Sequence, residues 1–192
     1  MISRSLCPLV CLIAALVAGV AHGKECEGVT FSDQIQSKDG TLVLNGLGLR
    51  QATFLKVDVY VAGLYVAKTS TDAAAILASN TPKEMILHFV RDVDGSELSD
   101  GWDEGFKNNA ADQLAALEQR IDAFKALMVD IKSGQQLRLV HEPGTGVRVE
   151  IDGTVKGMIK GDDFARALFS IWLGPNPPND DLKAGLLGGA CG

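Results

Sequence analysis

Three residues have chemistry out of keeping with their surroundings. Arg50 is the only charged side chain between Leu42 and Leu55. A guanidinium keeps its charge, so if buried it needs an acidic partner or an anionic ligand. Tyr60 sits in the middle of an apolar, Val-rich run, where a buried phenol needs a hydrogen-bond partner. Asn109 completes a stripe with Leu98, Trp102 and Phe106. On a helix these four lie within about 80° of one another, at about 100° per residue. A buried amide there must also be satisfied. Together the residues sketch a mostly apolar cleft between sheet and helix, with a few convergent polar groups and Trp102 in its wall. That is the usual form of a small-molecule site. Plainer readings stand beside it: Arg50 paired with Asp58 or exposed, Tyr60 and Trp102 as core residues, and Asn109 bonded only to backbone.

Other chemistries find little support. His88 and His141 are far apart, with no Cys or carboxylate at ligand spacing, so no metal site is expected. There is no nucleophile elbow and no P-loop. Gly46-Leu47-Gly48 opens like a dinucleotide fingerprint, but Gln51 stands where the third glycine belongs, and a strand follows rather than a helix. These glycines read as a turn. No redox cofactor is expected. The net charge is −6, and no basic patch stands out, which argues against nucleic acid as a partner.

The elements that must position these residues run strands first. Thr41 to Leu44 reads as a short strand ended by Asn45-Gly46. Phe54 to Val66 is a long one, with Val57, Val59, Val61 and Tyr65 on one face and Asp58, Tyr60, Ala62 and Leu64 on the other. Asp72 to Ser79 reads as a short helix. Glu84 to Val93 reads as a strand turning Met85, Leu87, Phe89 and Arg91 one way. The Leu98 stripe is a helix, and Ile121, Phe124, Met128 and Ile131 mark a second, closed by Gly134. Gln136 to His141, Val147 to Ile151 and Thr154 to Ile159 form a meander, with Asp152-Gly153 as a tight hairpin turn. Asp162 is placed to N-cap a helix carrying Phe164, Leu168, Ile171 and Trp172, stopped by Gly174-Pro175. Asp180 to Leu187 is a last short helix. Strands, helices, antiparallel strands and helices in that order spell α+β: a curved antiparallel sheet with helices packed on one face.

The N-terminus reads as a cleavable signal peptide over residues 1–23. Arg4 is followed by an apolar run from Leu6 to Val20, and then by Ala21 and Gly23 at the −3 and −1 positions of a cut before Lys24. The run is short for a membrane span. The segment around Cys11 lacks the small residue expected before a lipidated cysteine. Residues 24–192 then form a single domain, one unit more negative than the whole chain, without a stable membrane anchor. Export makes a disulfide between Cys26 and Cys191 plausible, since domain ends often lie close together. Two unpaired cysteines in the tails are the alternative.

Several segments together resemble the bacterial chalcone-isomerase-like family. They are Asn45-Gly46-Leu47-Gly48-Leu49-Arg50, Lys56 to Val66, Phe89-Val90-Arg91-Asp92-Val93, Gly157-Met158-Ile159-Lys160-Gly161 with Phe164-Ala165, and Phe169 to Gly174. Their order and spacing, from Gly28 to Gly188, carry the resemblance. It implies an open-faced β-sandwich with a large antiparallel sheet, a helical layer and a short sheet. It also implies one of two activities. Plant enzymes of the family close a chalcone to a flavanone, and other members bind fatty acids. Arg50 matches the arginine that steadies the reacting oxygens in the enzymes and meets the carboxylate in the fatty-acid binders. Asn109 matches the enzymes' asparagine. Trp102 stands where they have a tyrosine, and Tyr60 where they have threonine but the binders have tyrosine. A second enzyme threonine, near Asn179 to Asp181, has no clear match. The expectation is an exported, periplasmic or secreted monomer. It would hold a fatty acid or similar amphipathic carboxylate at Arg50 and Tyr60, with Trp102 and Asn109 lining the cleft. The alternatives are an isomerase using Arg50 and Asn109, and a partner-binding domain without catalysis.

Overall fold

The computed structural model describes residues 23–53 and 55–191. The expected signal peptide lies outside this range except for Gly23, which opens the first strand. Nine strands and five helices follow. The strands are β1 (Gly23–Cys26), β2 (Val29–Ser32), β3 (Gln34–Ser37), β4 (Gly40–Ala52), β5 (Val57–Val66), β6 (Lys83–Phe89), β7 (Gln136–Glu142), β8 (Gly146–Ile151) and β9 (Thr154–Lys160). The helices are α1 (Ala73–Ala78), α2 (Gly95–Asn109), α3 (Leu114–Lys125), α4 (Asp162–Leu173) and α5 (Asp180–Leu186).

Strands β3 to β9 form one seven-stranded sheet in simple sequence order, with every neighbour antiparallel. β1 and β2 form a separate ribbon. The sheet curls around the helical layer, and the main core lies between them. There Ala62, Leu64, Met85, Leu87 and Phe89 of the sheet meet Phe106, Phe124, Leu168 and Trp172 of the helices. Burying each large side chain contributes roughly 1.5–3 kcal/mol. A smaller cluster on the opposite face joins Phe31 of β2 to Leu42, Leu44, Leu47, Val61 and Tyr65. This is the curved antiparallel sheet with helices on one face expected from the pattern of elements, and the open-faced sandwich that the family resemblance implies.

The expected turn at Asn45-Gly46-Leu47-Gly48 is instead the interior of a strand. β4 runs unbroken for 13 residues, with a register shift between Leu44 and Gly46. The glycines serve a close approach. A Cβ at Gly46 would strike the Gly185 carbonyl, and one at Gly48 the Leu182 carbonyl. Bare backbone here lets α5 lie directly against β4.

Other boundaries also move. The helix expected to reach Ile131 ends at Lys125, and Ile131 instead bridges to Val93. The strand expected to run to Val93 ends at Phe89. Asp162 is the first residue of α4, and Gly161, at φ +103°, occupies the cap. The Asp162 carboxylate accepts from the Gly144 amide at 3.0 Å and from His141 Nε2 at 3.0 Å. Lys83 Nζ lies 3.5 Å from His141 Nδ1 and donates to the Ser79 carbonyl at 2.7 Å. Nδ1 thus faces a donor-only ammonium, and Nε2 donates to the Asp162 carboxylate. Asp152 and Gly153 do form the tight turn, both at positive φ.

Cys26 and Cys191 are joined by a disulfide, their Cα atoms 5.8 Å apart across 165 residues of sequence. Among the described residues no helix is long and apolar enough to cross a membrane.

Two predictions follow from these packings. Gly46→Ala should destabilise the fold by about 1–3 kcal/mol through overpacking, read as a lower urea midpoint. Burial pushes the Lys83 ammonium down to about 8, helped by the nearby Arg166 charge and opposed by Asp162. Between that value and the ordinary one near 10.4 the unfolded chain holds a proton that the folded chain has released. Lys83 therefore makes stability rise with pH between 8 and 10. Above that range Tyr65, pushed up to about 12, works the other way. Denaturation at pH 8 and pH 10 should show a smaller rise in Lys83→Met than in the wild type.

Candidate ligand site

Arg50 and Tyr60 are directly opposite each other in the β4–β5 ladder, so both side chains stand on the helical side of the sheet. Just beyond them the ladder slips: Arg50 pairs with Tyr60, but Gln51 pairs with Asp58. Val59 is the extra residue of this bulge. A bulge re-aims the side chains beside it, and Val59 joins Tyr60 on the same wall. Simple alternation had put the two on opposite faces.

That wall belongs to a cavity of about 290 Å³, near the lower end of the roughly 300–1,000 Å³ common for ligand pockets. Val59, Tyr60 and Phe89 supply the sheet side; Leu98 and Trp102 of α2 and Ile171 of α4 supply the helical side. Pro177 and Pro178, just before α5, close one edge. Arg50 and Arg91 are also in the wall, with Glu97 and Glu104 on α2.

Arg50 is half-buried and donates to the Gln51 carbonyl and to Asn179 Oδ1, the latter at 3.2 Å. Asp58, the carboxylate expected as its structural partner, is taken by Gln51 Nε2 at 2.8 Å. Arg120, Arg138 and Arg148 pair with Asp163, Glu84 and Glu142 at 2.7, 2.5 and 2.8 Å. Among the described residues no carboxylate comes within that range of Arg50, so its charge is met only by neutral oxygens.

Tyr60 is buried, and its hydroxyl accepts from Trp172 Nε1 at 3.0 Å. Its own proton is left to donate. Burial pushes the Tyr60 phenol up; the Trp172 hydrogen bond and the Arg50 charge only partly offset this. At neutral pH it is therefore a hydrogen-bond donor beside a guanidinium. Trp102 packs edge-on to Trp172, with ring centroids 5.7 Å apart, and to Phe124 at 5.2 Å. Its Nε1 is buried without a partner among the described residues.

Asn109 does not line the cavity; it is a clamp outside it. Its Nδ2 donates to the Gly105 and Asn176 carbonyls at 3.1 and 2.9 Å, and its Oδ1 accepts from the Asn176 amide at 3.0 Å. A helix turns about 100° per residue, and Asn109, the last residue of α2, is carried toward the segment after α4. Asn109, expected on the ligand wall, is thus placed beside the cavity with its amide bonded to backbone.

Asn179 and Arg91 were given no role from the sequence. Asn179 bonds both backbone groups of Gln51, at 3.0 and 3.1 Å, as well as Arg50. It thus acts as a side-chain substitute for a strand at that point of β4. Nothing in its local sequence signals this, because its partners lie 128 and 129 residues away. Arg91 had a readable signal: it continues the inward alternation of Met85, Leu87 and Phe89 as a charge where an apolar residue is due.

A curled antiparallel sheet packed against helices, with a cavity between the two layers, is a fold of the chalcone isomerase type. The family model for chalcone isomerase-like proteins matches residues 23–188, and the chain belongs to that family. "Altered inheritance of mitochondria protein 18, mitochondrial" from Saccharomyces cerevisiae is 32% identical over 145 residues, covering 73% of this chain and 40% of that protein. The chain thus spans well under half the length of this curated relative. With a yeast protein among its relatives, the narrower bacterial grouping suggested by the sequence is not supported. The fatty-acid binding protein of Arabidopsis thaliana superposes with a TM-score of 0.62, covering 83% of this chain and 92% of that one, at 18% identity. At that identity the likeness is one of fold.

Replacing Asn109 tests the clamp. Asn109→Ala should cost about 1–2 kcal/mol for its lost hydrogen bonds, and the Asn176 amide should exchange its hydrogen faster by NMR.

Proposed function

We propose that this protein binds a fatty acid or a similar amphipathic carboxylate, with Arg50 and Tyr60 at the head group and Trp102 in the wall beside the tail. The observation that carries this is the half-buried Arg50, which has no carboxylate partner among the described residues. It stands next to a neutral phenol on an otherwise largely apolar wall. A guanidinium can grip a carboxylate through two parallel hydrogen bonds, and Tyr60 adds a third donor. Asn179 limits the swing of Arg50, so less freedom is lost on binding. The name of the Arabidopsis neighbour supports the same reading, since that protein binds fatty acids on the same fold.

We also propose that residues 1–23 are removed on export and that the mature protein works as a monomer without a membrane anchor. The Cys26–Cys191 disulfide supports an oxidising compartment. The yeast relative is named as mitochondrial, so an N-terminal sequence directing the chain to that organelle is the competing reading.

Native mass spectrometry of the protein purified from its own host tests both points. The expected spectrum is a monomer beginning at Lys24 that carries an adduct in the fatty-acid mass range, with the adduct lost in Arg50→Ala. An adduct that survives in a folded Arg50→Ala protein would remove Arg50 from the head-group site. A chain cut elsewhere, or left intact, would remove the export reading.

A further inference from the structure

The cavity holds a second guanidinium that the fatty-acid reading does not use. Arg91 follows β6 and lines the same wall as Arg50. The neighbouring carboxylate, Asp92, is committed elsewhere: its oxygens take Lys132 Nζ at 3.1 Å and the Ser133 amide at 2.9 Å. Glu97 and Glu104 face the cavity from α2, yet neither forms an ion pair with Arg91 or Arg50. Arg91 is solvent-exposed and makes no hydrogen bond to any described residue, so the fold has no evident use for it.

The two arginines are separated in a defined way. Arg50, Tyr60 and Phe89 are register partners on three successive strands. At about 4.8 Å per strand, Arg50 and Phe89 are roughly 10 Å apart, and Arg91 lies two residues beyond Phe89. The apolar rings of Tyr60 and Phe89, with centroids 5.5 Å apart, fill the interval. The wall therefore reads cation, apolar surface, cation.

Resting on the carboxylate-binding reading, we infer that the preferred ligand carries two anionic groups joined by an apolar chain, an α,ω-dicarboxylate being the simplest. One carboxylate meets Arg50 and Tyr60, and the other meets Arg91. A simple fatty acid would occupy the first position alone.

The chain has two tryptophans. One lines the cavity and the other holds the Tyr60 hydroxyl, so intrinsic fluorescence reports occupancy. Decanoate and decanedioate are titrated into the wild type, Arg91→Gln and Arg91→Lys, with circular dichroism as the check on folding. The expected result is at least tenfold tighter binding of decanedioate than of decanoate by the wild type. Arg91→Gln should abolish that preference, weakening decanedioate far more than decanoate, and Arg91→Lys should keep most of it. Equal binding of the two ligands by the wild type, or a decanedioate preference that survives Arg91→Gln, overturns this inference and leaves carboxylate binding intact. Failure of both ligands to bind the wild type overturns the inference together with the reading on which it rests.

Discussion

The contact between α5 and β4 is the constraint from which the site follows. Two strand residues without side chains, Gly46 and Gly48, let the helix backbone rest on the strand backbone. Asn45 fastens the same junction by donating to the Leu186 carbonyl at 2.7 Å. With α5 seated there, the residue before it, Asn179, reaches the far end of β4 and bonds Gln51 and Arg50. The segment Asn176 to Pro178 is drawn across the cavity edge, where Asn109 holds it. The chain leaving α5 returns Cys191 to Cys26. One close approach of backbones thus orients the cation, closes the cavity and brings the two ends of the domain together.

The electrostatics of the cavity are set by what Arg50 lacks. Arg120, Arg138 and Arg148 are neutralised by carboxylates at hydrogen-bond distance. Here Asp58 is held by Gln51, and the partners of Arg50 are amide oxygens. Neutral oxygens solvate a guanidinium without cancelling its charge, so Arg50 keeps its capacity to pair with an anion. Tyr60 reinforces this. Its environment keeps the phenol protonated, and its acceptor lone pair is engaged by Trp172, leaving the hydroxyl proton free to donate.

The fold alone would not separate these possibilities, since one fold hosts many functions and function is argued from the site. The Arabidopsis neighbour shares the architecture at 18% identity, and the yeast relative shares sequence over only part of its own length. What the site of this chain offers is local: a tyrosine opposite the arginine, a tryptophan in the helical wall, and an asparagine turned away from the cavity and bound to backbone.

The sequence by itself determined the class of fold, because alternation at period two and apolar stripes near period 3.6 are local properties of the chain. It marked Arg50, Tyr60 and Trp102 as residues out of place or aligned on a buried face, and all three line one cavity. It also marked Arg91, a charge at the next inward position after Met85, Leu87 and Phe89. Tertiary structure alone decided the rest. Whether Gly46-Leu47-Gly48 turns or runs straight depends on a helix more than 130 residues later needing to touch that backbone. Whether Asn109 faces a ligand or a loop depends on where the chain after α4 passes. Asn179 gained its role from groups 128 and 129 residues away. Propensity and periodicity are read over a few neighbouring residues. These three outcomes were set by contacts across the whole chain, which no local pattern encodes.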